Sequence, residues 1–245
     1  MARPRHLRNA PIREALVDIA VKTRPDTSIQ ALEALYEDVR DEFPGKQEIR
    51  TAEVELNFAQ ETNRLTNTII GYAFRASDDN NRVVQFRLNG FTCNWLKPYS
   101  EWVELKALAQ RMWRIYAARI QPEHVTRLGL RFINQLELPV PRIDFNEYLT
   151  AQPNVPPALP QSLMSFFTRF AFRNETTDCF AVVTQASEGL VKPDVFPLIL
   201  DIDTSRVGQW EPNSDEIWQC LDQLRDFKNL IFFESLTEEA VRIFE

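Results

Sequence analysis

Short segments in which apolar and polar side chains alternate recur along most of the chain, and they constrain its fold more than any other feature. In the first of them, Val17, Ile19 and Val21 recur at every second position, which is the period of a half-buried strand. Turn-forming residues separate this segment from others with the same period. The pattern predicts strands at 12–22, 52–58, 69–76, 82–88, 91–96, 125–138, 164–174, 179–187 and 197–204.

Three longer stretches have apolar residues at every third or fourth position, which predicts helices with one buried side. They cover residues 28–43, 101–120 and 214–233, and a shorter helix is predicted at 144–149. We expect six of their residues to be buried against the sheet: Trp102, Leu105, Met112, Ile217, Leu221 and Leu224.

Hairpin-linked strands, with the helices kept apart from them, predict an α+β protein. The expected architecture is one large antiparallel sheet of about seven to nine strands with helices packed on one face. The order of strand, helix, several strands and helix occurs twice, at 11–121 and 124–233, which suggests a duplicated unit. The proline-rich stretch 153–160 could mark a domain boundary. We favour a single domain spanning residues 1–245 with a continuous sheet, because each half alone would leave a strand edge unpaired.

Residue types that usually carry catalysis are scarce. The 245 residues include two histidines, His6 and His124, and three cysteines. The sequence has no phosphate-binding loop, no nucleophile elbow and no C-x-x-C pair. Cys93, Cys179 and Cys220 are therefore expected to be packing residues, and His124 to be a cap or surface residue. The sequence predicts no cofactor and favours a protein without enzymatic activity.

The charge balance bears on the class of partner. The chain has 28 basic and 35 acidic residues, a formal net charge of −7, whereas binding to nucleic acid requires a basic footprint. One basic run, Arg3, Arg5, His6, Arg8 and Arg13, is expected to be a solvated tail. No apolar run is long enough to span a membrane, and the N-terminus lacks the apolar core of a signal peptide. These features predict a cytoplasmic protein that does not bind a membrane, and the net charge does not indicate nucleic acid as a partner.

Four segments carry a resemblance to a known group of proteins. They are RNAPIREALVD at 8–18, VTRLGLRFIN at 125–134, LILDID at 198–203 and LRDFKNLIFFESLTE at 224–238. Together they resemble an uncharacterised, sporadically distributed family of prokaryotic proteins of similar length, and the resemblance covers nearly the whole chain. It implies no activity. The patchy distribution of that family is similar to that of mobile defence or toxin–antitoxin components.

Two pairs of acidic residues are candidates for a metal site. Asp201 and Asp203 are two positions apart in a predicted strand, so their carboxylates project from the same face, and the same holds for Glu53 and Glu55. If these strands were neighbours, four carboxylates could hold a divalent ion for phosphoryl transfer. The favoured alternative is a polar sheet face on which acids pair across strands with arginines. The candidate arginines are Arg87, Arg127, Arg131, Arg169 and Arg173.

Arg127 and Arg131 form the strongest candidate for binding. Gly129 lies between them on the same face of the predicted strand, which predicts an opening between two guanidinium groups. Such an opening would admit an anion, a carboxylate or the backbone of a partner. The alternative is that both arginines pair with Glu53, Glu55 or Asp18. The predicted binding residues are Arg127, Arg131, Glu53, Glu55 and Arg87.

The leading hypothesis is therefore a non-catalytic module that binds another protein, such as a regulatory or antitoxin-like component of a mobile defence or toxin–antitoxin locus. One alternative is a metal-dependent enzyme acting on phosphoryl or nucleotide substrates through the four carboxylates. Another is a small-molecule or nucleic-acid binder that uses the sheet face as a saddle.

Overall fold

The computed structural model describes residues 1–57, 62–77, 81–139, 144–151, 153–161, 163, 165–187 and 195–245. For residues 53–57, 62–66 and 139 it describes the backbone alone.

Nine strands in this described part of the chain form one sheet. Every neighbouring pair is antiparallel, and the order across the sheet is β2-β3-β4-β5-β1-β6-β9-β8-β7. The predicted antiparallel sheet is thus confirmed, and it runs without a break through both halves of the chain. The strands are β1 (Ile12–Lys22), β2 (Gly45–Asn57), β3 (Thr62–Arg75), β4 (Arg82–Arg87), β5 (Gly90–Leu96), β6 (His124–Pro139), β7 (Phe166–Asn174), β8 (Cys179–Ser187) and β9 (Val195–Trp210).

The first strand of each half lies at the centre of the sheet, where β1 pairs with β6. In each half this first strand also pairs with the last strand, β1 with β5 and β6 with β9, and the remaining strands follow outwards as a meander. The two halves therefore share a topology. Their origin by duplication stays a prediction.

The main difference from the predicted helices concerns the first one, which is shorter than predicted and divided into two. The expected helix over 28–43 is divided at Leu35, whose N–H bonds to the carbonyl of Leu32 in a tight three-residue step. Residues 102–120 and 216–235 form the two long helices close to the predicted positions. The helices are α1 (Ile29–Ala34), α2 (Tyr36–Val39), α3 (Trp102–Ile120), α4 (Phe145–Tyr148), α5 (Glu216–Ser235) and α6 (Glu238–Arg242).

One face of the sheet, called here the covered face, carries Val17, Leu130 and Ile202 and is fully buried at these positions. The long helices lie on it, α3 over β5 and β1, and α5 over β9 and β6. Of the six helix residues expected to be buried, five are, whereas Trp102 is half-buried and its indole N–H donates to Asp222 at 2.9 Å. The helices therefore pack on one face, as predicted.

The other face, called here the open face, carries the alternate residues of the same strands. Leu16, Asp18, Arg131, Asp201 and Asp203 are all half-buried, and each lies between two buried residues of its strand. The helices of the described part of the chain pack against the covered face, so the open face keeps its contact with solvent at the centre of the sheet.

The N-terminal basic run is not a solvated tail, and that expectation was wrong. Ala2 and Leu7 are buried, and the Ala2 N–H bonds to the carbonyls of Phe233 and Leu236 at 3.1 and 2.9 Å. The Arg5 guanidinium pairs with Glu238 at 3.0 Å and with Glu245 at 2.6 Å. The Arg5 ion pairs and the buried Ala2 and Leu7 therefore hold this segment against the C-terminal end of the chain, while Arg3, His6 and Arg8 remain exposed.

Within the described residues, no helix combines the length and the apolar character that crossing a bilayer requires.

Candidate binding cleft on the open face

The strand register places polar side chains from four central strands in rows across the open face. One row consists of Asn94 in β5, Leu16 in β1, Arg131 in β6 and Asp203 in β9, which are consecutive partners across the sheet. The next row contains Thr92, Asp18, Gly129 and Ser205 in the same order. Because these residues are two positions apart in every strand, both rows project from the same face.

A cleft of about 240 Å³, called here the polar cleft, lies over these two rows. This volume is below the range typical of sites for drug-sized ligands or cofactors. It is suited to one or two side chains. The lining residues are Leu16, Asp18, Gln85, Arg87, Thr92, Asn94, Arg127, Gly129, Arg131 and Asp203.

Asp18 is the most fully bonded carboxylate of the polar cleft. It accepts hydrogen bonds from Arg87 Nη2 at 2.7 Å, from Thr92 Oγ1 at 2.8 Å and from Arg127 Nη1 at 3.2 Å. Since its donors come from three neighbouring elements, β4, β5 and β6, the carboxylate links strands of both halves of the chain. The sequence pattern indicates Asp18 only as an alternative partner for the arginines, and the structure places it at the centre of their network.

Arg131 forms a bidentate ion pair with Asp201. Its Nε and Nη2 donate to the two carboxylate oxygens of Asp201 at 2.8 and 2.6 Å. This pair raises the pKa of the Arg131 guanidinium above its ordinary value. The favoured alternative of cross-strand pairing therefore describes Arg87, Arg127 and Arg131 correctly, with Asp18 and Asp201 as partners. Arg173 pairs with Asp178 in the β7–β8 turn.

The expected opening beside Gly129 is occupied by Arg127. A Cβ atom placed on Gly129 would lie 2.8 Å from Arg127 Nη1, so the guanidinium lies directly over the glycine. The glycine does provide space on the sheet, but the neighbouring arginine fills it while reaching Asp18. A binding role for Arg127 and Arg131 stays a prediction, and any ligand would have to compete with these internal ion pairs.

Asp203 is less well satisfied than the other two aspartates. Among the described residues it has one ion-pair contact, to Arg127 Nη2 at 3.6 Å, and no hydrogen bond. Its side chain keeps 38% of its surface exposed to solvent. Burial, with smaller contributions from the neighbouring Asp201 and Asp18, raises the pKa of Asp203 above its ordinary value, against the opposing effect of Arg127 and Arg131.

Asn94 provides a second unsatisfied acceptor in the lining. Its Nδ2 donates to Glu14 Oε1 at 2.5 Å, which fixes the orientation of the amide. Its Oδ1 is buried and has no donor among the residues that the structure describes. Thr92 and Asn94 are lining residues that the sequence-based prediction does not include. A usable signal was present, because both are polar residues on one face of an otherwise apolar strand.

The four carboxylates of the metal hypothesis are not on neighbouring strands. Glu53 and Glu55 belong to β2 and Asp201 and Asp203 to β9, which are first and seventh in the strand order. Six strand spacings of about 4.8 Å separate them. The side chains of Glu53 and Glu55 lie outside the described residues. Within the described part of the chain, no group of three or more histidine, cysteine, aspartate or glutamate side chains could hold a metal ion.

The three cysteines are buried, as expected of packing residues. Burial raises the pKa of the Cys93 thiol to about 12 and that of Cys220 above its ordinary value. A nucleophilic cysteine needs a lowered thiol pKa, so these two are in the opposite environment. His124 is the first residue of β6 and half-buried, which agrees with its expected place at an element boundary.

A second exposed feature lies at one edge of the sheet, on β7. Phe167, Phe170 and Phe172 are exposed there, and together they are called the aromatic edge. Phe172 contacts Phe227 of α5 edge-on, with ring centroids 6.0 Å apart. Exposed aromatic residues on a terminal strand are unusual, since such edges can pair with other chains.

Models of protein families give no match to the chain, and a search of curated proteins likewise gives none. The functional argument therefore depends on the geometry of the open face.

Proposed function

We propose that the protein is a non-catalytic module that binds another protein through the open face of its sheet. The observation that supports this proposal is the polar cleft itself: charged side chains from several central strands converge at a place where helices leave the sheet accessible. Central strands hold their side chains rigidly, and a rigid polar surface loses little conformational entropy when it binds.

The size of the polar cleft favours a protein partner over a free small molecule. At about 240 Å³ it can accept a side chain, while the surrounding open face offers further area for contact. The separation of β2 from β9 makes the metal-dependent alternative less favourable, because that hypothesis needed their carboxylates together. The resemblance to a sporadically distributed prokaryotic family supports the finer proposal that the partner is an effector or toxin encoded by the same locus.

The proposal is tested by co-purification with two charge-reversed variants. Asp203→Lys changes the polar cleft, and Asp226→Lys is its matched control, because Asp226 lies on α5 with 75% of its side chain exposed. We expect one protein to be retained by the wild type and by Asp226→Lys in near-equal amounts, and to be lost from Asp203→Lys. Thermal melting of both variants checks that they are folded. Equal retention by both variants, or retention of no protein by the wild type, would contradict the proposal.

A further inference from the structure

The two edges of the described sheet differ in how well they are protected against pairing with another chain. At one edge, β2 carries the exposed charged residues Lys46, Glu48 and Arg50, and its pairing with β3 shifts register between Ile49 and Arg50. Charged side chains and such irregularities are the usual means by which an edge strand avoids pairing with other chains. The β2 edge therefore has both kinds of protection.

The β7 edge has neither lysine nor an irregular register. Its nine residues, Phe166–Asn174, include no proline, and they pair with β8 without a shift. Within the described part of the chain, β8 is the only strand beside β7, so the backbone N–H and C=O groups on the outer side of β7 have no strand partner there. Such a row of donors and acceptors matches the backbone of a further extended strand. The chemistry of this edge therefore specifies a β-strand as its occupant.

The aromatic edge also leaves apolar surface in contact with solvent. Phe167, Phe170 and Phe172 are 68, 48 and 42% exposed. A phenylalanine has a surface of about 200 Å², so the three together expose about 300 Å² in each molecule. Two such edges in contact would remove about 600 Å² of apolar surface from water, and the paired backbones would add to this, which approaches the lower limit for a specific interface. A dimer formed here is expected to be weak and reversible.

The sequence of β7 is suited to pairing with a second copy of itself. Opposed residues of an antiparallel pair lie on the same face, so a two-fold axis between two β7 strands has to pass through a residue position. With the axis at Phe170, all nine residues of each strand are paired. With the axis at Arg169, this residue would face its own copy, and with the axis at Ala171 it would face Arg173 of the second copy. Like charges directly opposite each other destabilise a sheet, so the sequence favours the axis at Phe170.

The axis at Phe170 brings the exposed aromatic residues together. Phe170 then faces Phe170 of the second copy, and Phe172 faces Thr168 of the second copy, both on the covered face, where Phe172 already contacts α5. On the open face, Arg173 faces Phe167 of the second copy, and guanidinium groups pack favourably against aromatic rings. No arginine of β7 is directly opposite an arginine in this register.

We propose that two copies of the protein associate through β7, in an antiparallel pair whose two-fold axis lies at Phe170. The pairing joins the two nine-stranded sheets and covers both aromatic edges. A second copy is favoured over an unrelated strand, because the arginine and aromatic residues of β7 complement those of its own copy. The association does not depend on the proposed function, since β8 separates β7 from β9, the nearest strand of the polar cleft.

Sedimentation equilibrium over a wide range of protein concentration tests the association. We expect a reversible equilibrium between monomer and dimer. Phe170→Lys places two ammonium groups opposite each other at the axis and should weaken dimerisation by at least about tenfold. The matched control is Leu230→Lys, because Leu230 lies on α5 with 51% exposure, close to the 48% of Phe170, and this variant should dimerise like the wild type. Thermal melting checks that both variants are folded.

Distances between spin labels test the register while every residue of β7 is kept. Labels are attached in separate variants, Ser165→Cys and Glu175→Cys, at exposed positions five residues on either side of Phe170. The three native cysteines are buried, so the introduced thiol is the accessible one. With the axis at Phe170, each label lies ten residue spacings from its copy, about 33 Å along the strands. Pulsed double electron resonance should therefore give similar distances for both variants, whereas an axis shifted by one residue would make them differ by about 13 Å.

Three results would overturn the proposal. A wild-type protein that stays monomeric up to about 1 mM would exclude the pairing and leave the edge to a strand of another protein. A folded Phe170→Lys variant that dimerises like the wild type would place the interface elsewhere. Distances that differ between the two labelled variants would reject the two-fold axis at Phe170. The label distances decide the outcome also if Phe170→Lys does not fold, because the labelled variants keep the native strand.

Discussion

The two faces of the sheet differ in whether their charged side chains have partners of opposite charge. On the covered face, the Lys228 ammonium lies 3.9 Å above the centre of the Phe132 ring, and within the described residues no carboxylate pairs with it. On the open face, each of the three cleft arginines has a carboxylate partner. The covered face thus holds a charge at a cost in stability. The open face, in contrast, uses charge pairs to link strands, and within the described residues one of its carboxylates, Asp203, has a single long contact and no hydrogen bond.

The largest expected effect is a gain in stability from removing the unpaired charge. Burial lowers the pKa of Lys228 from 10.5 to about 7. Between these two values the unfolded chain binds more protons at this site than the folded one, so the free energy of unfolding rises with pH across the window. At or below pH 7 the cost of burying the charged form is fully present. Lys228→Met, which keeps the aliphatic volume, should therefore raise the free energy of unfolding by about 3 kcal/mol at pH 6.

Urea denaturation of both proteins at pH 6 and pH 9 measures this effect. The free energy of unfolding of the wild type should rise from pH 6 to pH 9, because Lys228 loses its proton in the folded protein. In the variant, which lacks this group, most of that rise should be absent. A variant that is less stable than the wild type at pH 6 would show that the contact with Phe132 outweighs the cost of burying the charge.

The second effect is a loss of stability on the open face. Asp18→Ala removes the acceptor of three hydrogen bonds and leaves Arg87 and Arg127 half-buried without it. Because the network remains partly open to solvent, we expect the free energy of unfolding to fall by about 2 kcal/mol, less than for a fully buried pair. Denaturation in urea at pH 7 measures this loss.

The smallest effect is expected at Asp203, which serves as the control within the same cleft. Asp203→Ala removes one contact of 3.6 Å and should change the free energy of unfolding by no more than about 0.5 kcal/mol. Similar losses at Asp18 and Asp203 would contradict the distinction between a carboxylate that links the strands through three hydrogen bonds and one that has a single long contact.

The strands and long helices could be predicted from the sequence because their signals are local. The period of two in β1, β8 and β9 and the apolar stripes of α3 and α5 depend on residues close together in the chain. The shared orientation of Asp201 and Asp203 follows from the same period. The burial of Lys228 is also predictable from the sequence, since Lys228 lies four positions after Leu224 in the buried stripe of α5.

The neighbours of each strand could not be predicted in this way. The pairing of β1 with β5 and β6 joins segments far apart in the sequence, and only this pairing brings Asn94, Asp18 and Arg131 together. The place of Arg127 over Gly129 depends on a side-chain conformation, which the register does not determine. The candidate site is therefore a product of tertiary structure. The polar residues that form it are visible in the sequence only as a half-polar strand face.

Carboxyl footprinting by mass spectrometry tests most directly whether the open face is the binding surface. A carbodiimide reagent labels accessible carboxylates, and Asp203 and Asp226 are both accessible, with 38% and 75% of their side chains exposed. In the complex with the protein retained by the wild type, labelling of Asp203 should fall strongly while that of Asp226 stays constant. Unchanged labelling of Asp203 in the complex, with protection found instead near the aromatic edge or on α5, would contradict the account.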